Sequence, residues 1–158
     1  MSDHEKRPAT FQLHPIGYIH AAENDIYLEI LEPYRPALKQ LDQFGHVIVL
    51  WWGNRNDNEQ ARGVTQCRPP YAADTVTGIF ACRAEYRPNP VLLTVCQVLS
   101  VDEEKGLVHL PYIDAEDGTP IVDLKAYFPV CDRVRDVRMP AWVAGWPAWV
   151  EDADQLSF

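Results

Sequence analysis

A mainly β fold, a single small antiparallel β-barrel with one short helix, is what this sequence predicts, and three observations support it. The first is the β-branched, apolar run His46-Val47-Ile48-Val49-Leu50-Trp51-Trp52, with a second such run from Val91 to Val101. The second is turn density. With 13 Pro and 8 Gly in 158 residues a bundle of long helices is excluded, because Pro removes a ladder donor and Gly weakens helix interiors. The third is composition: 47% hydrophobic against 23% charged residues suffices for one core and excludes global disorder.

The elements follow in chain order. Residues 1–10 are polar and read as a disordered tail, leaving 11–158 as one barrel domain with a Trp-rich C-terminal packing segment. Phe11 to Ile19 alternates loosely and predicts a first strand. Ile26 to Ile30 alternates apolar and polar side chains, the pattern of a half-buried strand. Pro33 to Phe44 predicts a short helix, with proline near its start, Leu38 and Leu41 three apart, and Gly45 behind it. The 46–52 run has the composition of a strand buried on both faces.

Asn54 to Pro70 is a long polar connection, the kind of segment that often carries function. Val76 to Arg83 predicts another strand. Val91 to Val101, the acidic turn Asp102 to Gly106 and Leu107 to Ile113 predict a hairpin. Ile121 to Tyr127 reads as a short strand or bridge. Trp142, Trp146 and Trp149, at steps of four and three, fall on one helical face, although Gly145 and Pro147 argue for a short or broken helix. Those indoles are expected to pack on the barrel or on a second subunit.

Charge and cysteine usage narrow the function. The 14 Lys and Arg against 23 Asp and Glu give a net charge of −9, so attraction to nucleic acid or an anionic membrane is not a property of the whole surface. Between residues 55 and 87, however, five arginines face four carboxylates, a net +1, while the remainder carries −10. If phosphate is met anywhere, that stretch meets it. No run of about 18 apolar residues predicts a membrane span, and the first ten residues do not read as a signal peptide, so a cytoplasmic location is expected. Cys67, Cys82, Cys96 and Cys131 form no Cys-x-x-Cys pair, so no metal site is expected and all four read as structural thiols.

Two segments could bear chemistry. Gly78 to Cys82 leads through Arg83-Ala84-Glu85-Tyr86-Arg87 into Pro88-Asn89-Pro90. Two prolines around Asn89 fix φ and favour extended neighbours, giving a stiff lip. Its two guanidiniums suit a carboxylate or a phosphate, because the planar fork bonds such groups in pairs. The plainer alternative is a surface pair between an arginine and Glu85. The second segment, Asp114-Ala115-Glu116-Asp117-Gly118-Thr119-Pro120, could hold a cation, bond ribose hydroxyls, cap a neighbour, or be a solvated hairpin end.

Together these residues resemble a known family. Pro15-Ile16-Gly17-Tyr18-Ile19 and Leu41-Asp42-Gln43-Phe44-Gly45-His46-Val47 look like its first two motifs. Gly78 to Arg83 with Arg87 to Pro90, and Asp114 to Pro120 running on to Asp123-Leu124-Lys125-Ala126-Tyr127-Phe128-Pro129, resemble its two signature segments. The family is the TsaA-like (TrmO-type) group of methyltransferases dependent on S-adenosyl-L-methionine (SAM).

The resemblance implies a small β-barrel that binds SAM, works as a homodimer, and methylates the threonylcarbamoyl-adenosine of tRNA. Carried over by position, it places the donor against Asn54, Arg55, Arg83, Leu93, Tyr112, Ile113, Asp114, Ala115, Asp117 and Gly118. Arg87 and Asn89 are the implied substrate contacts, and no catalytic residue is assigned. A sulfonium is already a good leaving group, so positioning in a dry pocket would replace acid–base machinery.

This chain departs from the pattern at several places. His20 to Asp25 is shorter than the usual first loop, Ala84-Glu85 replaces Ser-Pro, Val91-Leu92 replaces Ile-Gly, and Asn54 stands where His is common. No additional C-terminal domain is expected. Three readings stay open: a tRNA methyltransferase, a small-molecule methyltransferase of the same fold, and a SAM-binding module without catalysis.

Overall fold

The run predicted as a strand at 46–52 forms β3 (His46–Trp52), and its side chains alternate. Val47, Val49 and Trp51 are buried, whereas Ile48, Leu50 and Trp52 are half-buried on the other face. The expectation of burial on both faces is therefore corrected. One face meets the core, and the other is an apolar surface.

The structure, a computed structural model, describes residues 10–156, so the tail expected over 1–10 lies outside the described residues apart from Thr10. The remaining strands are β1 (Gly17–Ala22), β2 (Asp25–Ile30), β4 (Gln66–Cys67), β5 (Thr77–Gly78), β6 (Val91–Gln97), β7 (Ser100–Asp102), β8 (Leu107–Leu110) and β9 (Pro120–Ala126). Seven of them form one antiparallel sheet in the order β6-β3-β9-β1-β2-β8-β7, and β4 pairs with β5 as a two-stranded ribbon. Ile19, Leu28, Ile30, Val47, Val49, Val108 and Ile121 fill the core from five of these strands. Each contributes on the order of 1.5–3 kcal/mol by leaving water.

The predicted closed barrel is not what the pairing gives: among the described residues no ladder joins edge strand β6 to edge strand β7. Yet the two are consecutive in sequence, separated by Val98 and Leu99 alone. A flat sheet of seven strands would set its edges roughly 29 Å apart. The chain from Gln97 to Ser100 reaches about 10 Å. The sheet must therefore coil until its margins meet at this end. The Val98 N–H donates to Gly45 O at 2.8 Å and the Leu99 N–H to His109 O at 2.9 Å, so the link is bonded to both sides of the seam.

Other departures have local causes. The helix predicted at 33–44 is instead two 3-10 segments, Glu32–Leu38 and Leu41–Gln43, joined through Gln40 at φ 71°. Pro36 has no N–H to continue an α ladder, so the chain tightens into i→i+3 bonds. Leu38 and Leu41 are nonetheless both buried. The strand predicted at 76–83 shrinks to β5, because Ile79–Ala81 turns and the Ile79 N–H is claimed by Thr65 O at 2.9 Å. β1 starts only at Gly17, where a Cβ would run into the Glu29 carbonyl oxygen across the hairpin.

The C-terminal indoles do not share one helical face. Gly145 at φ 85° redirects the chain, so Trp142 and Trp146 pack on Tyr71 while Trp149 lies under the Arg133 guanidinium. Among the described residues no helix is long and apolar enough to cross a membrane.

Candidate functional site: three loops joined at Arg55 and Asn56

Strand β3 delivers the chain into Gly53, whose N–H donates to Pro90 O at 2.7 Å. A Cβ at Gly53 would approach the Leu92 side chain at 3.1 Å, so the small residue permits this close crossing. Beyond it, Asn54–Asn56 forms a 3-10 turn from which two side chains reach outward. The Arg55 guanidinium pairs with the Glu116 carboxylate, tying this turn to the 112–120 loop. Asn56 Nδ2 donates to Glu85 Oε2 at 2.9 Å, tying it to the 83–90 lip. Glu85 is thus held by an amide and not by the arginine pair considered from sequence.

The lip is stiffened as the proline pattern predicts, with a clamp the sequence reading had not singled out. Arg62, at the end of the one-turn helix α1 (Glu59–Arg62), spreads its fork over three acceptors. Nε donates to Pro88 O at 2.9 Å, Nη2 to Asn89 Oδ1 at 3.0 Å and Nη1 to Asp57 Oδ1 at 3.0 Å. The Asn58 side chain caps that helix by accepting from the Ala61 N–H at 2.9 Å. Arg87 turns inward, where Nη1 donates to the Cys82 and Ala84 carbonyls at 3.2 and 3.1 Å. Its Nε and Nη2, like the Asn89 amide nitrogen, are not engaged by these bonds.

The acidic loop is locked onto β1. The Gly118 N–H donates to Ile19 O at 2.8 Å, Thr119 Oγ1 bonds Glu116 O at 2.7 Å, and Asp117 Oδ1 accepts from the Ala21 N–H at 3.0 Å. Of its three carboxylates, Glu116 is neutralised by Arg55 and Asp117 is engaged with backbone. Asp114 remains exposed beside Tyr112, whose hydroxyl is pushed up by partial burial and then by the Asp114 charge.

The structure thus brings Asn54, Arg55 and the Asp114–Gly118 loop together, and joins the Arg83–Asn89 lip to the same turn. Ile113 is buried in the core below them, and Ala115 packs against it. Leu93 stands apart on the outward face of β6, opposite Leu50, and is 42% exposed. Arg83 is exposed, and its backbone N–H donates to the Tyr71 hydroxyl. Beside the lip a cleft of about 740 Å³ opens between Phe11, His14, Trp52, Arg62, Asn89 and Val91. Sequence reasoning missed Asn56 and Tyr71 and met Arg62 only in a charge count, whereas Glu85 and Glu116 lay in segments it had singled out, without the partners seen here. Among the described residues no group of three or more His, Cys, Asp or Glu is placed to hold a metal ion.

Comparison with known proteins places this architecture. The tRNA-methyltransferase O N-terminal domain matches residues 9–133. An S-adenosyl-L-methionine-binding protein of Archaeoglobus fulgidus is 32% identical over 110 residues, 70% of this chain and 74% of that protein. The human tRNA (adenine(37)-N6)-methyltransferase is 34% identical over 104 residues, 66% of this chain but 23% of its own length. The crystal structure of TrmO from Pseudomonas aeruginosa superposes with a TM-score of 0.64 at 29% identity, covering 82% of this chain. This chain spans 61% of that one. With the match extending from before β1 to beyond β9, the chain belongs to the tRNA-methyltransferase O N-terminal domain family.

Proposed function

We propose that this protein binds SAM where the 54–56 turn, the 83–90 lip and the 112–118 loop converge, and methylates N6 of a threonylcarbamoyl-adenosine in tRNA. One observation supports the site above all: Arg55–Glu116 and Asn56–Glu85 draw three distant loops into one surface. The donor set fits the ligand. Arg83 offers a free guanidinium for a carboxylate, Asp114 an acceptor for ribose hydroxyls, and Tyr112 apolar area for a base, while Leu93 stays outside this set on the outward face of β6. Bound SAM supplies a methyl group on a sulfonium that departs as a neutral thioether. The chain's own residues bind, orient and exclude water, while the N6 proton passes to solvent. The relatives named for SAM binding and for tRNA adenine methylation support this reading.

A small-molecule acceptor is the second reading, and the net charge of −9 favours it. Transfer of labelled methyl from SAM to total tRNA lacking the modification tests the first reading. Incorporation that falls steeply with salt supports it, through release of counterions at phosphate contacts. Calorimetric SAM binding without any transfer to tRNA leaves the second reading or the non-catalytic module.

The expected homodimer belongs to the same proposal. On the outer face of β3 and β6, Ile48, Leu50 and Trp52 stand opposite Val95, Leu93 and Val91. This six-residue apolar patch ends at the Lys125–Asp123 ion pair of 2.9 Å. An apolar sheet face of this kind is suited to a second copy. Val95→Glu is expected to halve the mass measured by light scattering, and an unchanged mass would refute this interface.

A further inference from the structure

Beneath the lip lies a pair of thiols that the methyl-transfer reading does not use. Cys67, half-buried on β4, and Cys82, buried at the end of the Ile79–Ala81 turn, bring their sulfurs to 3.5 Å. This is the one thiol–thiol contact among the described residues. We propose that Cys67 and Cys82 are an oxidative modification site, closing to a reversible disulfide under a hydroperoxide and thereby shifting the Arg83–Pro90 lip.

The other two cysteines set the contrast. Cys96 is buried alone on β6, and desolvation pushes its thiol up to about 12, which suppresses the reactive thiolate. Cys131 is exposed, in the short helix α2 (Pro129–Asp132), with no neighbouring thiol to resolve an oxidised sulfur. Cys67 alone combines access with a second sulfur in contact. Its thiolate attacks a peroxide oxygen, the O–O bond breaks, and a sulfenic acid and one water form. The Cys82 sulfur then displaces the sulfenic hydroxyl, losing its own proton. The sum is two thiols and one hydrogen peroxide to one disulfide and two waters.

The pair is wired to the lip. Cys67 also lies 3.6 Å from Thr77 Oγ1, and its thiol bonds the Tyr86 hydroxyl of the lip itself. The Cys82 carbonyl accepts from Arg87. Tyr71, whose hydroxyl is pushed up by burial and by Cys82, receives the Arg83 N–H and carries Trp142 and Trp146. Bond formation draws the sulfurs together by roughly 1.5 Å. A displacement of that size at Cys82 reaches both arginines of the lip through one or two hydrogen bonds. In a reducing compartment such a bond would be transient, as expected of a sensor rather than a staple.

The test treats the reduced full-length protein with stoichiometric hydrogen peroxide, blocks free thiols, and digests it for mass spectrometry. A linked Cys67–Cys82 peptide is expected, about 2 Da lighter than its two parts and separated again by dithiothreitol. Cys67 found as sulfinic acid beside an alkylated Cys82 would overturn the proposal. Cys67→Ser at the half-buried position must abolish the link, and it keeps the test decisive should Cys82→Ser fail to fold. The effect on the lip rests on the donor site proposed above, so it is read twice. SAM affinity should fall about tenfold on oxidation and return on reduction. The rate of tryptic cleavage after Arg83 should change severalfold whether or not SAM binds, and an unaltered rate would sink the coupling. A reduced protein that binds no SAM would refute the donor site alone.

Discussion

Arg62 Nη2 lies 3.0 Å from Asn89 Oδ1, and that bond spans the opening between the α1 turn and the proline-flanked lip. The same guanidinium holds the Pro88 carbonyl and Asp57, so one side chain fixes the lip to the loop that follows β3. Arg62→Ala is expected to loosen the lip without unfolding the sheet. SAM affinity should drop roughly five- to tenfold, about 1 kcal/mol, since these charge-assisted bonds are partly exposed. Arg62→Lys should recover little, because a point charge cannot span three acceptors. Calorimetry alongside thermal melting separates the loss of affinity from loss of fold.

Arg83 is exposed and its side chain is free to meet a carboxylate. Arg83→Ala should weaken SAM binding about tenfold, ~1.4 kcal/mol, and leave the melting temperature nearly unchanged. Calorimetric affinity equal to that of the unaltered protein would refute the assignment of Arg83 to the donor.

Gly106 closes the β7–β8 turn at φ 74°, its carbonyl accepting from the Ile30 N–H at 2.7 Å. An added Cβ would meet Ile30 O at 2.6 Å and Arg35 Nε at 2.7 Å. Gly106→Ala should therefore cost about 2 kcal/mol or more, combining a left-handed residue with a backbone clash. Urea denaturation with an unchanged slope gives the number.

Asp102 starts the same turn, and the Lys105 N–H donates to its Oδ1 at 3.0 Å. That backbone bond first, and the Lys105 side chain after it, hold the carboxyl below its ordinary value. A depressed folded value means that the stabilisation is present above the unfolded carboxylate range, near pH 4, and is lost as pH falls through the lower folded value. Measured against the intrinsic rate at each pH, the protection of the Lys105 amide from hydrogen exchange should fall on acidification through that window. In Asp102→Asn, whose Oδ1 still accepts but does not titrate, that protection should be insensitive to pH there.

The legible parts of the fold were those with a local cause. β3 and β2 are written in β-branched or alternating runs and form where the pattern puts them, and the Gly106 turn is kept. The single strand expected over Val91–Val101, however, breaks at Val98-Leu99 into β6 and β7, and only β7 pairs with β8. The 33–44 segment misled because the spacing of Leu38 and Leu41 served a 3-10 path as well as an α one, and Pro36 decided between them. The three tryptophans misled because helical spacing counts only where a helix exists, and Gly145 ends it. At the site, the lip and the acidic loop were visible as composition. Their union was not, since Arg55–Glu116 and Asn56–Glu85 join residues 61 and 29 apart and leave no periodic trace. The resemblance to a family named residues in all three loops, but not the two pairs that join them.

The Val98-Leu99 crossing has a mechanical consequence. Because two residues hand the chain from one margin of the sheet to the other, neither margin can peel away without loosening its counterpart, and both should open as a single cooperative event. A backbone nick between those residues would relieve the curvature. The relaxed sheet would then leave the seven-residue margin β6 uncovered beside the three-residue margin β7, and its unpaired amides and carbonyls would be the starting point for edge-to-edge aggregation.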